Sequence, residues 1–559
     1  MNKFTALLGA SSIVLLANIT PGGMVAAVET AATDGAAERI RAHVHFLADD
    51  LLEGRVAGSR GYDIAANYVA AQFATAGLEP GAADGGWMQP LRLIEAAAVI
   101  PAAQISLTRD GVSTALSVMD DFLPAPDTNA TESTVTAAMV FVGFGVHAPA
   151  LQHDDLAGLD LRGKIVVMLS GAPQRFTSSE RAHYSSTLTK YPEFIKRGAV
   201  GVLGFLTPAD NERNPWAKTV QSSWRPRMRW LDAEGVAADS FPQLQVTMSL
   251  SPAGAARIFE GAPRTLSEVF AAASASKAQG FDLPATASLR RQTLLGRRSS
   301  ANVLGLIRGS DKRLASEIVV VTAHLDHLGK GAPIKGDAIY NGAMDNASGV
   351  AVMMEVARSL AGARSRPRRS VLFAAVTGEE SGLLGSDYLA RHPPLPGGRF
   401  VADINIDMPV MLTDIADLVA FGAEHTDLGP MAARAAKAEA LTLTPDPTPE
   451  ETFFVRSDQY SFIRQGIPAI YIDNGVGSLA RLPVVDTTKA LVEGFLRDHY
   501  HQPSDEISQP IHYPSLARLA RVNGRVVSEA ASRSQRPRWN ADSFFRTAFP
   551  QANPARGSP

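Results

Sequence analysis

Ile318-Val319-Val320-Val321-Thr322-Ala323-His324-Leu325-Asp326 decides the fold, because it is an almost unbroken apolar run ending in side chains that can bind a metal. A strand that is apolar at nearly every position, not at alternate ones, is buried on both faces, as in parallel sheets covered by helices. Val371 to Val376, Ala402 to Ile406 and Ala469 to Ile472 are runs of the same kind. Between the first two runs, Val350, Met353, Ala357 and Leu360 keep helical offsets. The expectation is an α/β fold with a mostly parallel central sheet flanked by helices.

Upstream, Ile40, Val44, Leu47 and Leu51 fall at helical offsets, and Ala65, Val69 and Phe73 repeat every four residues. This predicts two helices parted by the Gly/Ser break from Gly54 to Gly61. From about Val99 to Ala285 the composition turns to short β-type runs punctuated by Gly and Pro, among them Met139 to Val142 and Ile165 to Met168. The pattern predicts a smaller, β-rich α/β domain inserted into the first, rejoined through a basic stretch at Arg290, Arg291, Arg297 and Arg298. The expected boundaries are 36–125 for the first part of the main domain, 126–285 for the insert and 286–533 for the rest. Residues 534–559, rich in Pro, Arg, Ser and Asn, read as a polar, loosely packed tail.

At the start, Lys3 precedes an uncharged apolar stretch, Phe4 to Ile19, then Pro21, Gly22 and Gly23 before Val25-Ala26-Ala27. That order reads as a secretory signal spanning 1–27. Its apolar part is shorter than the about 20 residues a membrane span needs. The mature product is expected in a periplasm or outside the cell, with no stable membrane insertion. The 559 residues carry 53 Lys+Arg against 56 Asp+Glu, a net charge of -3, so no basic footprint for a nucleic acid exists. With no Cys in the chain, disulfides, thiolate nucleophiles and Cys-ligated metals are excluded together.

Each of three successive strands runs into a candidate ligand: His324-Leu325-Asp326, Gly378-Glu379-Glu380, and Asp407. Parallel strands would put all three at one carboxyl edge of the sheet, where open α/β folds bind ligands. Asp345 stands ahead of the Val350 to Leu360 helix, and His501 lies in a late loop. Asp345, Glu380 and Asp407 together would repel one another unless protonated or balanced by cations. Carboxylates mixed with imidazoles suit zinc, and Asp345 can bridge two ions roughly 3.5 to 4 Å apart. Glu379, beside a ligand, is left free as a base.

Five ordered motifs carry a resemblance. They are His324-Leu325-Asp326, Asn341-Gly342-Ala343-Met344-Asp345-Asn346-Ala347-Ser348-Gly349, Gly378-Glu379-Glu380-Ser381-Gly382, Asn405-Ile406-Asp407-Met408 and Tyr500-His501. In this order they resemble the aminopeptidase Y family of di-zinc exopeptidases, whose relatives include bacterial leucyl aminopeptidases and glutamate carboxypeptidase. The likeness spans about Val303 to Asp505, with a weaker part from Glu53-Gly54-Arg55 to Pro80. It implies a zinc exopeptidase fold of the phosphorylase/hydrolase-like kind and two Zn2+ per chain. One ion would be held by Asp345, Glu380 and His501, the other by His324, Asp345 and Asp407. Asp326 would hydrogen-bond His324 and fix its tautomer. Glu379 would be the general base in cleavage of a peptide substrate, most simply at its N-terminus.

Asp160-Leu161-Arg162-Gly163-Lys164-Ile165-Val166-Val167-Met168 and Ile195-Lys196-Arg197-Gly198-Ala199-Val200-Gly201-Val202 similarly resemble a protease-associated domain. Three other readings stay open. A carboxypeptidase of the glutamate carboxypeptidase type would need a cation such as Arg456 to clamp the substrate carboxylate. A glutaminyl-cyclase-like acyltransferase would use one zinc, and a metal-free binding scaffold none. His327 and His499 read as neighbours of the ligands, not as ligands. Trp224, Arg225, Arg227, Arg229 and Trp230 read as surface or cleft wall.

Overall fold

The computed structural model describes residues 35–447, 453–477 and 485–550. The secretory signal expected at 1–27 lies outside them. Among the described residues, no helix is long and apolar enough to cross a membrane.

The main sheet is built around β1 (Met88–Ala98), β2 (Phe281–Ile307), β3 (Glu317–His324), β4 (Ser370–Val376), β5 (Arg399–Asn405), β6 (Asp417–Phe421) and β7 (Ala469–Asn474). Every residue of β3 and β4 is buried, as a strand covered on both faces requires. β4, β3, β5 and β7 lie side by side and parallel. On one flank β2 pairs antiparallel with β4 and β1 pairs antiparallel with β2; on the other, β6 runs antiparallel to β7. The sheet is therefore mixed, with a parallel centre.

Period-two alternation divides its side chains between two layers. Val319, Val321 and Ala323 join Val371 and Phe373 under the helices 35–47, Arg60–Thr75, Gly349–Ala361 and Tyr513–Ser532. Ile318 and Val320 point the other way, to Leu389 and Ala390 of helix Leu384–Arg391 and Phe462 of helix Gln459–Ile463. At about 1.5–3 kcal/mol for each large apolar side chain taken fully from water, these two layers hold the sheet edge rigid.

A second sheet has its own core, with Phe122, Phe141, Val167, Leu203 and Met248. Strands Glu132–Phe141, Ile165–Leu169, Gly201–Phe205 and Val246–Leu250 run parallel in it. Gln104–Arg109 and Phe122–Pro124 also pair into it, whereas Arg227–Trp230 leaves it to pair with β1 in the main sheet. The basic stretch expected as a join is no linker: β2 runs unbroken for 27 residues, through the second sheet and then the first. Three of its four arginines are held by facing acids, Arg290 by Glu132 at 2.8 Å, Arg291 by Asp127 at 2.6 Å and Arg298 by Glu95.

The loosely packed tail is likewise corrected for residues up to 550. Trp539 pairs with Thr426, and Phe545 of helix Phe544–Ala548 is fully buried among Phe421, Phe454 and Tyr460. Residues 551–559 lie outside the described residues.

Candidate metal centre

β4 and β5 flank β3 on opposite sides, so the chain leaving β3 crosses first one way and then back. A crevice opens at such a reversal, at the carboxyl ends of the strands. His324 ends β3, Glu379 and Glu380 follow β4, and Asp407 follows β5. Asp345 is brought in from the loop ahead of helix Gly349–Ala361, and His501 follows helix Val485–Asp498 with a positive φ of 58°.

The structure brings these side chains into one centre. His324 Nε2 lies 2.9 Å from Asp407 Oδ1 and 3.1 Å from Asp345 Oδ1. On the far side, His501 Nε2 lies 3.2 Å from Asp345 Oδ2 and 3.2 Å from Glu380 Oε2. His327 Nδ1 sits 2.7 Å from Glu380 Oε1 and 3.9 Å from Asp345 Oδ2. Two clusters able to hold a metal result, His324-Asp345-Asp407 and His327-Asp345-Glu380, in each of which the donor atoms all lie within 4.8 Å of one another. Asp345 belongs to both, one oxygen turned to each.

The donors fit divalent cations. Glu380 Oε1 and both ring nitrogens of His327 are buried without a hydrogen-bond partner. Leaving such groups unsatisfied costs about 1–3 kcal/mol each, so two of them 2.7 Å apart yet misaligned for a hydrogen bond are explained by convergence on a shared ion. Charge points the same way. Against the cost of burial, Asp407 and Glu379 hold the His324 imidazole well above its ordinary pKa, and Glu380 and Asp345 carry His501 up to about 9. The surrounding carboxylates thus favour the charged form of these two imidazoles, whereas burial favours the neutral form of His327. Bound cations would balance the carboxylates and oppose the protons.

Glu379 touches this balance differently. Burial, with Asp407, Glu380 and Asp458 nearby, pushes its carboxyl well above the usual range, while His324 opposes the rise. With Asp345, Asp407 and His501 it lines a small pocket of about 70 Å³, which Arg456, Ser457, Tyr471 and Tyr500 complete. Asp326 reaches His324 through its main-chain carbonyl, 3.0 Å from Nδ1, and not through its carboxylate. The carboxylate instead accepts the Glu379 N–H at 3.1 Å, because the turn after β3 faces the turn after β4. Asp326 therefore ties the His324 ring to the Glu379 main chain.

Three supports have no role assigned from the sequence, although Asn346 and Arg55 lie inside the quoted motifs. Asp505 accepts the N–H groups of Met344 and Asp345, at 2.8 and 3.1 Å. Asn346 ties the same loop to the next, donating to Ile406 O and accepting from Met408 N, each at 3.0 Å. Arg55 is buried 270 residues away in sequence from Leu325, yet it donates to the carbonyls of Leu325, Asn341 and Gly342, and to that of Leu47. Burial pulls its guanidinium down to about 10. His327, read as a neighbour of the ligands, stands against Glu380; its place three residues after His324 was the available signal. His499 is held by Ser504 and Gln509, away from the clusters. Of the basic aromatic group, Trp230 is buried and donates to Asp387 at 2.9 Å, whereas Arg225 reaches toward the centre.

Comparison with known proteins adds partial likenesses. A probable zinc metalloprotease of Leptosphaeria maculans is 43% identical over 91 residues, which are 16% of this chain and 20% of that protein. Aminopeptidase NAALADL1 of Mus musculus is 35% identical over 118 residues, 20% of this chain and 14% of the mouse protein. The matches thus span a fifth or less of these curated relatives. In fold, the chain is similar to an aminopeptidase from Aneurinibacillus sp. strain AM-1, with a TM-score of 0.50 and 20% identity over 89% of this chain and 95% of that one. Residues 302–527, which include all of the clustered side chains, match the model of Peptidase family M28.

Proposed function

We propose that the protein is a zinc-dependent exopeptidase, an aminopeptidase that releases N-terminal residues from peptides. The observation that carries the reading is Asp345, which turns one oxygen to each of two His/carboxylate clusters while Glu379 stands free beside them. The family matched by residues 302–527 and the names of the relatives support it.

In this reading His324, Asp345 and Asp407 would hold one zinc, and Asp345, Glu380 and His501 the other, with His327 against Glu380. Two such ions would activate a water and polarise the scissile carbonyl. Glu379 takes a proton from the attacking water and returns it to the leaving amine. Its burial suits it to hold that proton between the two steps. Asp326, through the Glu379 N–H, keeps the carboxylate in reach, and no side chain forms a bond to substrate. The second sheet, proposed as a protease-associated domain, walls one side of the cleft. The secretory signal makes the protein exported, to a periplasm or the medium.

Metal analysis combined with a panel of blocked peptides tests this. Two zinc ions per chain are expected, with cleavage lost on N-acetylation and retained on C-terminal amidation. No bound metal and no hydrolysis would end the reading; release of the C-terminal residue from N-acetylated peptides would replace it with a carboxypeptidase.

A further inference from the structure

A cavity of about 860 Å³ opens beside the centre and shares Phe453, Arg456, Tyr500 and His501 with the small pocket holding Glu379. A peptide whose scissile bond lies at Glu379 has this space for its continuation. The cavity wall is rich in cations, most of which are already engaged. Arg213 is paired with Asp210, Arg497 with Asp498 at 2.6 Å, and Lys218 donates to the Arg497 carbonyl at 3.4 Å. Arg225 differs. Among the described residues it has no carboxylate partner; its guanidinium lies over the Trp224 ring at 5.9 Å and 3.4 Å from His501 Nδ1, and its Nε is buried with no hydrogen-bond partner.

Its position is built by the fold. Arg227–Trp230 pairs with β1 of the main sheet, which draws the preceding Trp224-Arg225 out of the second sheet and across the mouth of the centre. Trp224 packs on Tyr340, ring centroids 6.0 Å apart, and leaves no room for a side chain at Gly331. A guanidinium held this way, half-buried at the mouth, with its Nε unpartnered and no carboxylate beside it among the described residues, is open to an anion. Its planar fork matches a carboxylate with two parallel hydrogen bonds.

We propose that Arg225 binds a carboxylate of the substrate, either the C-terminus of a short peptide or an acidic side chain beyond the scissile bond, and so selects such peptides. The proposal rests on the peptide-cleaving reading above. Its test compares the wild-type chain with Arg225→Gln and Arg225→Lys on three probes: Ala-Ala-Ala, its C-terminal amide, and Ala-Glu-Ala amide. Arg225→Gln should raise KM at least tenfold for a carboxylate-bearing probe, leave kcat within about twofold, and leave the Ala-Ala-Ala amide unchanged; Arg225→Lys should recover part of the loss. Which probe responds, Ala-Ala-Ala or Ala-Glu-Ala amide, identifies the source of the carboxylate. Equal effects on all three probes, or none, would overturn the proposal. Calorimetric binding of Ala-Ala-Ala and its amide to Glu379→Gln, with and without Arg225→Gln, reads the same contact without turnover. If no peptide is cut by the wild type, the peptidase reading fails, and this binding difference still decides Arg225.

Discussion

Glu379 and Glu380 are adjacent in sequence and opposite in electrostatics. Burial lifts the first well above the carboxylate range, while His501 and His327 hold the second well below it despite equal burial. One is suited to carry a proton and the other to stay charged against a cation. Glu379→Gln should keep two metal ions per chain by elemental analysis and lose about 10²–10⁴-fold in kcat; full activity would remove it from the mechanism. Arg55→Met should cost about 3–5 kcal/mol in chemical denaturation, because four buried carbonyls lose their donor at once. Lys190, in the second sheet's layer, donates to Gly171 O at 2.6 Å, and burial takes its ammonium from 10.5 down to about 7 against the pull of Asp155. A folded pKa below the unfolded one means that the native state binds fewer protons between about pH 7 and 10.5, so stability rises with pH across that window. Thermal midpoints should climb between pH 7 and 9.5 in the wild type and lie flatter in Lys190→Met.

At the scale of elements, legibility followed local pattern. The runs of β3, β4, β5 and β7 are apolar because both faces are covered, and a run of that kind is visible without a structure. β2 was not visible as one strand, since Leu294 and Leu295 are exposed and Arg290, Arg291, Arg297 and Arg298 interrupt any alternation. Arg290 and Arg291 are satisfied by acids more than 150 residues away, Glu132 and Asp127, which no local window contains. Residues 533–549 misled for the same reason, as a polar composition hid four aromatic anchors, Trp539, Phe544, Phe545 and Phe549. Phe545→Ala should lower stability by about 3–5 kcal/mol, read from the denaturant midpoint; a loss below 1 kcal/mol would restore the loose tail.

For the whole molecule, two cores with separate sheets meet along β2, and the cleft between them borders the metal centre. A ligand that binds only the folded chain stabilises it by mass action, by about 4 kcal/mol at a thousandfold excess over its Kd. Chelation should therefore abolish peptide cleavage and lower the thermal midpoint by several degrees, and stoichiometric zinc should restore both. An unchanged midpoint with unchanged activity after chelation would exclude a metal centre here.

Sequence alone determined which strands are central and which side chains stand at their ends, because burial on both faces and the residue after a strand are local properties. It also supplied the chemistry, carboxylate and imidazole with no thiol. Only the tertiary structure decided that His327 joins Glu380 and that Asp326 grips Glu379 by its backbone. Arg55 beneath the site and Arg225 at its mouth belong to the same class. Each of these depends on loops far apart in the chain meeting at one sheet edge, and strand order and crossover direction are set by the packing of both helical layers at once, not by any one segment.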